Sequence, residues 1–171
     1  MRRRRRSGPL VRDKDGSWSL DLDENERSVL LVSVDQLRGL LRSGADAERT
    51  RRLHPVAYNA DAEADAEWQR LMRDDLVESR VAAIDRVEAM LEEGAGFDDG
   101  ALTSLMITVN ALRLVLGTLL DVSDDGPEPQ VDHDPDDPET AQWHLYMWLG
   151  WLLEWIVEAQ EDAMEDTPGG S

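Results

Sequence analysis

Apolar residues recur every three or four positions along much of the chain, which is the spacing of an amphipathic helix face. The first helix is predicted to start at Asp23, where a capping box begins, and to end near Arg42, before Gly44. A short helix at 65–72 follows, and then a longer helix from Asp74 to Glu93. The inward-facing residues predicted for the two longer helices are Leu30, Val34, Leu37, Leu41, Val77, Val81, Ile84, Val87 and Leu91.

Two further helices complete the pattern. One starts at Asp98 or Asp99 and is predicted to turn Leu102, Leu105, Val109, Leu112, Leu116 and Leu119 inward. The last runs from about Glu139 to Ala163 and contains four of the six tryptophans. Positions 144, 148, 151 and 155 lie on one face of it, so His144, Trp148, Trp151 and Trp155 are predicted to pack in the core.

Residues 9–23 alternate between apolar and polar residues around a turn at Asp13–Gly16, which predicts a β-hairpin. The predicted fold class is therefore mainly all-α, a four-helix bundle-like domain with a small N-terminal hairpin. The expected organisation is a disordered basic arm at 1–8, one helical domain at 9–163 with an acidic loop at 123–138, and a disordered tail at 164–171.

Charge changes the picture of possible partners. Five of the 18 basic residues are Arg2 to Arg6, so the remaining 13 stand against 37 acidic residues, a formal charge of −24 without this arm. Such a surface repels phosphate backbones and favours a basic protein partner. Nucleic acid binding is expected only through Arg2 to Arg6, and that reading stays open as an alternative.

The sequence contains no recognisable catalytic centre. There is no cysteine, no nucleotide-binding glycine loop and no nucleophile elbow, and His54, His133 and His144 have no metal-ligand spacing. The longest apolar run, Leu145 to Val157, is interrupted by Glu154 and is too short to span a bilayer. We therefore expect a cytoplasmic, non-enzymatic protein without a cofactor and without a membrane partner.

Two acidic segments offer an alternative function in cation binding. The segment Asp13–Glu24 has oxygen-bearing side chains spaced like a twelve-residue calcium loop, but Trp18 stands where such a loop needs glycine. A hairpin explains the same residues without a metal. The acidic loop at 123–138 could attract divalent cations or an arginine-rich partner, although such a run is more typical of a solvated linker.

One polar constellation on two helices is a candidate site. Asn110, Arg113 and Gly117 share a face of one helix, and Tyr146, Gly150 and Glu154 share a face of the last. If the faces meet, the glycines allow a close approach and Arg113 can pair with Glu154. Alternatively, each face is simply a solvent edge. Trp143 and Trp148 complete the set of possible partner-contact residues, because an exposed tryptophan is a common contact residue.

Several segments together resemble a known family. They are Arg52–Tyr58, Glu67–Leu71 and Asp74–Leu76, followed by Leu-Arg-Leu-Val-Leu-Gly-Thr at 112–118 and Tyr-Met-Trp-Leu-Gly-Trp-Leu-Leu-Glu at 146–154. The chain resembles, over roughly residues 10–160, an actinobacterial domain-of-unknown-function family. That family is often encoded beside the ClpS adaptor and is also called the AosR-like oxidative-stress regulators.

The resemblance implies a regulatory protein that acts through protein contacts, with links to sigma-factor-dependent stress transcription. It implies no catalytic residues. Redox sensing proposed in the family uses cysteines, whereas this chain has none. The resemblance therefore cannot extend to a thiol switch within this chain.

Overall fold

The computed structural model describes residues 8–44, 47–53, 62–122 and 137–165. Its strands are β1 (Leu10–Arg12) and β2 (Trp18–Leu20), and its helices are α1 (Glu24–Ser43), α2 (Ala47–Thr50), α3 (Ala62–Glu93), α4 (Asp99–Leu119) and α5 (Pro138–Glu165). A 3-10 turn, Arg51–Leu53, follows α2. The predicted mainly α-helical fold with a small hairpin is confirmed.

The predicted helix starts are determined by side-chain caps. Asp23 accepts a hydrogen bond of 2.8 Å from the Glu26 backbone N–H, and Glu26 accepts one of 2.9 Å from the Asp23 N–H. At the other end of α1, Gly44 adopts a left-handed φ of 57°, which glycine tolerates without a Cβ clash. Asp98, rather than Asp99, caps α4 by accepting from the Ala101 N–H at 2.7 Å.

The hairpin is attached to the link between α3 and α4. β1 and β2 pair antiparallel, and Phe97 extends them by exchanging two backbone hydrogen bonds of 2.8 Å with Trp18. The Trp18 ring is buried, and its Nε1 donates to the Asp99 carboxylate at 2.7 Å. Since a buried indole N–H needs an acceptor, this bond fixes the hairpin to the first turn of α4.

α3 is one helix of 32 residues, so the predicted division into a helix at 65–72 and another starting at Asp74 is wrong. Asp74 and Asp75 are exposed on the helix surface and do not cap a new helix. No glycine or proline interrupts the segment Ala62–Glu93. An aspartate alone lowers helix propensity only slightly, which is too little to stop a helix with helix formers on both sides.

α4 is the central helix of the fold. It packs against α3 and α5 and also contacts α1, α2 and the 3-10 turn. By length and composition alone α4 is apolar enough to cross a membrane, and half of its most apolar window is buried inside the protein. Five of its six predicted inward residues are buried or half-buried, but Leu119, in its last turn, is exposed.

α5 packs on α4 with an aliphatic face. Trp148 packs against the core at half burial, but the prediction that the whole tryptophan face forms the core is wrong for His144 and Trp151. The fully buried residues of α5 are Leu149, Leu152 and Ile156. Trp148 and Trp155 are half-buried beside that face, whereas His144 and Trp151 are exposed. The tryptophan face and the aliphatic face of α5 are both apolar. The branched aliphatic side chains are the ones that fit between the closely packed α4 and α5.

The half-buried Trp155 is covered by the chain that leads into β1. A Cβ placed on Gly8 would lie 2.4 Å from the Trp155 ring, so only glycine allows the backbone to pass this close. Trp155 of α5 therefore packs against the backbone that leads into the N-terminal strand.

The α1–α3 contact includes a charge cluster. Arg38 of α1 lies 3.2 Å from Asp35 and 3.0 Å from Asp85, and it also pairs with Glu88 of α3. The hydrogen bond with Glu88 is the main cause that raises the pKa of Arg38 above its ordinary value. Arg38 is mostly buried, with 14% of its side chain exposed, and three carboxylates of the chain surround its charge.

Candidate interaction surface

α4 and α5 approach closely at the two glycines of the predicted constellation. Tyr146 Cε2 lies 3.3 Å from where a Cβ on Gly117 would be, and Arg113 Nε lies 3.2 Å from a Cβ on Gly150. The guanidinium of Arg113 stacks over the Tyr146 ring, with 4.9 Å between Cζ and the ring centroid. The structure thus brings Arg113, Gly117, Tyr146 and Gly150 together.

The other members of the predicted constellation lie apart from this contact. Among the described residues, no ion pair joins Arg113 to Glu154, which is exposed on α5. The Tyr146 ring provides the favourable contact that the carboxylate was expected to provide. Arg113 Nε is buried and has no hydrogen-bond partner in the described part of the chain. Asn110 is exposed one turn before Arg113.

The two tryptophans named as possible contact residues differ in exposure. Trp143 is buried and packs edge-on against Tyr146, with centroids 5.6 Å apart and an interplanar angle of 84°. Trp148 is half-buried, and its Nε1 is buried without a hydrogen-bond partner among the described residues. Trp151, which was not singled out for contact, is the exposed tryptophan of α5, at 43%. Trp143 thus has a packing role beside the arginine contact.

Next to this contact, α3, α4 and α5 form a groove of about 440 Å³, which we call the arginine groove. Two of its apolar residues are substantially exposed, Ile107 at 38% on α4 and Val157 at 40% on α5. The residues that line it are Leu53, Arg80, Met106, Ile107, Asn110, Ala111, Leu114, Leu153 and Val157. The lining is thus apolar apart from one amide and one guanidinium.

Arg80 is the charged residue of the groove. Its Nη2 donates to the Leu53 carbonyl, while its Nη1 is buried and has no hydrogen-bond partner in the described residues. Burial lowers the pKa of Arg80 below its ordinary value. Because an arginine remains charged far above neutral pH, the lining of the groove contains a cation.

Arg52 and Arg80 together hold the 3-10 turn at one end of the groove. Arg52 Nη2 donates to the Val122 carbonyl beyond α4 at 2.6 Å, and Arg80 donates to Leu53 within the turn. In the described residues none of the three arginines around this surface, Arg52, Arg80 and Arg113, forms an ion pair.

Sequence reasoning did not find Arg80, although a signal for it exists. Arg80 lies three residues after Val77 and four before Ile84, so it falls on the apolar face of α3. A charged residue on an otherwise apolar helix face either pairs within the fold or meets a partner. The α4 face at Met106, Asn110 and Leu114 was likewise not recognised as a groove, because no local pattern shows which helix face stays uncovered.

In the first of the two predicted cation-binding segments, Asp13–Glu24, several of the candidate side chains are engaged in other contacts. Asp15 accepts hydrogen bonds from the Ser17 backbone N–H and hydroxyl, at 3.0 and 2.7 Å, as part of the hairpin turn. Asp23 and Glu26 are engaged in the α1 cap, and Trp18 is buried. Within the described residues no group of three histidine or acidic side chains is placed to hold a metal ion. Residues 1–7 and 123–136, which include the arginine run and most of the acidic loop, lie outside the described residues.

Comparison with known proteins identifies the family. The family described as Domain of unknown function (DUF2017) matches residues 1–160. Neither the curated proteins nor the solved structures contain a match. The matched region includes the hairpin, α1 to α4 and most of α5, and so contains the arginine groove with the Arg113–Tyr146 contact. The chain therefore belongs to the DUF2017 family.

Proposed function

We propose that the protein is a non-enzymatic regulatory protein that binds a partner protein through the arginine groove. The observation that carries this proposal is the presence, in one groove lining, of exposed Ile107 and Val157 beside Arg80, which forms no ion pair in the described residues. Protein contact surfaces combine apolar anchors with an arginine in this way, because association buries the anchors and supplies the arginine with acceptors.

The rest of the surface favours a partner that is basic overall. The chain carries a formal charge of −19, so long-range attraction selects partners of the opposite sign and raises their rate of association. The groove then provides the close contacts that keep such a partner bound.

The identity of the partner class rests on resemblance. The similarity to the AosR-like oxidative-stress regulators, an actinobacterial group often encoded beside the ClpS adaptor, suggests a component of the cytoplasmic transcription machinery, and a sigma factor in particular. Without cysteine the chain cannot respond through its own thiols. Any response to oxidation would then reach it through the partner or through its own abundance.

The test is affinity purification from the native host with two matched lysine variants. Ile107→Lys places a cation in the groove, while Val32→Lys places one at an exposed position of α1, where 55% of the valine is exposed. We expect a specific protein to co-purify with the wild type and with Val32→Lys, and to be lost with Ile107→Lys. A partner that both variants retain equally would disprove the role of the groove.

Nucleic acid binding through Arg2 to Arg6 is the competing function. Five adjacent arginines provide a charge density that binds phosphates with a steep dependence on salt. A mobility-shift assay of the full chain against the chain without Arg2 to Arg6 separates the two readings. A salt-sensitive shift that disappears with the deletion would favour the competing function.

A further inference from the structure

Arg80 occupies an apolar groove without an anion to pair with in the described residues. Its two terminal nitrogens differ: Nη2 donates to the Leu53 carbonyl, whereas Nη1 is buried and makes no hydrogen bond. Nη1 is closed to solvent, but Arg80 as a whole is only half-buried and lines the groove, so its charge acts on whatever occupies the groove. The groove therefore favours a ligand that brings an anionic group close to Arg80.

The surroundings of Arg80 narrow the chemistry of that ligand. Ile107 and Val157 flank it with exposed aliphatic surface, and Asn110 is the other polar residue of the lining. A carboxylate is the strongest acceptor for a guanidinium, and apolar side chains are what the remaining wall can bury. A hydrated phosphodiester backbone offers the charge but not the apolar surface.

The rim of the groove adds a second requirement. Glu154 and Glu161 are exposed on α5, three residues before and four residues after Val157, so they lie on the same side of the helix as the groove edge. A segment that lies along α5 in the groove passes one of these carboxylates on each side of Val157. Its complementary charge pattern is one central acid with basic residues outside it.

We infer that the arginine groove binds a partner segment in which an aspartate or glutamate stands among apolar residues, and that this carboxylate pairs with the Arg80 guanidinium. The inference rests on the proposed function and deepens it, because it specifies the chemistry of the partner. The inference is consistent with both the net negative charge of the chain and the positive charge of Arg80. The partner is basic overall, and it is acidic at the one point that enters the groove.

The probe is a phage-displayed library of random peptides of about twelve residues, long enough for a helical or extended segment in such a groove. Selection uses the full chain, with Arg80→Gln as the counter-selection target. Arg73→Gln is the matched control, since Arg73 is an exposed arginine of the same helix outside the groove lining. Circular dichroism establishes that each variant is folded. If Arg80→Gln does not fold, Ile107→Lys replaces it.

We expect enriched peptides with an acid between apolar residues, binding about tenfold or more weakly to Arg80→Gln and unchanged to Arg73→Gln. Replacing the peptide acid by its amide should weaken binding to the wild type and have little effect on Arg80→Gln. Enriched peptides without an acid, peptides that bind Arg80→Gln equally well, or no enrichment would each overturn the inference.

The two proposals fail in distinguishable ways. If a native partner is lost with Ile107→Lys but the selected peptides lack an acid, the groove is a contact surface and only the carboxylate inference falls. If acid-bearing peptides bind and no native partner depends on Ile107, the chemistry of the groove stands and its use by the proposed partner falls.

Discussion

Arg38 and Arg80 are two arginines that helix packing holds partly away from water, and they differ in what surrounds them. Arg38 lies among Asp35, Asp85 and Glu88, and its pKa is raised mainly by the hydrogen bond with Glu88. Arg80 has one backbone carbonyl as an acceptor, and burial lowers its pKa. The first guanidinium lies among three carboxylates, while the second meets no carboxylate among the described residues.

The different surroundings of Arg38 and Arg80 indicate a structural role for Arg38 and suggest a binding role for Arg80. The charge cluster that joins α1 to α3 places three carboxylates around the Arg38 guanidinium, although Arg38 Nε makes no hydrogen bond among the described residues. Arg80 meets no carboxylate among the described residues, so a partner that brings one gains a charge-assisted contact.

The largest expected difference in stability is between two methionine variants, one at Arg38 and one at Arg80. Arg38→Met leaves three carboxylates without their cation and should lower the free energy of unfolding by about 2–3 kcal/mol. Arg80→Met removes one hydrogen bond and one poorly solvated charge, so these changes nearly cancel and stability should stay within about 1 kcal/mol. Urea unfolding followed by circular dichroism measures both.

Asp35→Asn serves as the control, because Asp35 is the most exposed acid of the Arg38 cluster and should contribute less than about 0.5 kcal/mol. The comparison fails if Arg80→Met proves more destabilising than Arg38→Met.

Alanine at three helical glycines gives a smaller effect and tests how tightly the wall beside the groove is packed. At Gly117 a Cβ would meet the Tyr146 ring at 3.3 Å, so Gly117→Ala should cost about 1 kcal/mol or more. At Gly39 of α1 a Cβ meets nothing within 4 Å, and Gly39→Ala should stabilise by about 0.5–1 kcal/mol through helix propensity.

Gly150 lies between these cases, since its Cβ would meet the side chain of Arg113 at 3.2 Å, and a side chain moves more readily than a packed ring. Thermal unfolding ranks the three variants. Stabilisation by Gly117→Ala as large as that by Gly39→Ala would show that α4 and α5 do not pack closely here.

pH gives the smallest effect. Neither arginine changes its charge near neutral pH, so a titration should not reveal their difference there. Asp15 does titrate in an accessible range, and the hydrogen bonds from Ser17 lower its pKa below 3.8. Its folded-state pKa is depressed, so its stabilisation is present above pH 3.8 and is lost as the pH falls through the folded value.

Carboxyl carbon shifts in NMR should therefore place the midpoint of Asp15 below 3.8, and Ser17→Ala should move it upward. A midpoint above 3.8 would contradict the hairpin-turn hydrogen bonds.

Local signals predicted much of the fold. The ends of α1 follow from Asp23, Glu26 and Gly44, which are cap residues that act over a few positions. The division of α3 at Asp74 failed because aspartate favours a cap but does not force one. The prediction that the tryptophan face of α5 packs in the core failed for another reason. The tryptophan face lies beside the aliphatic face, and periodicity cannot show which of two neighbouring apolar faces is buried.

The candidate surface was less predictable than the fold. Arg113, Gly117, Tyr146 and Gly150 were placed on two helix faces from their spacing, and the structure brings them into contact. The contribution of Arg80 depends on α4 and on the 3-10 turn, which are distant in sequence. Nothing local to α3 shows that its guanidinium reaches Leu53, or that no described carboxylate reaches the guanidinium.

Photo-crosslinking from within the groove tests most directly whether Arg80 is kept for a partner. A photoreactive amino acid replaces Ile107 or, as the control, Val32, in chains that carry Arg80 or Arg80→Gln and are expressed in the native host. We predict one protein adduct from position 107 that is absent from position 32 and that disappears with Arg80→Gln. An adduct of equal yield in the Arg80→Gln chain, or equal labelling from both positions, would contradict the central role of Arg80.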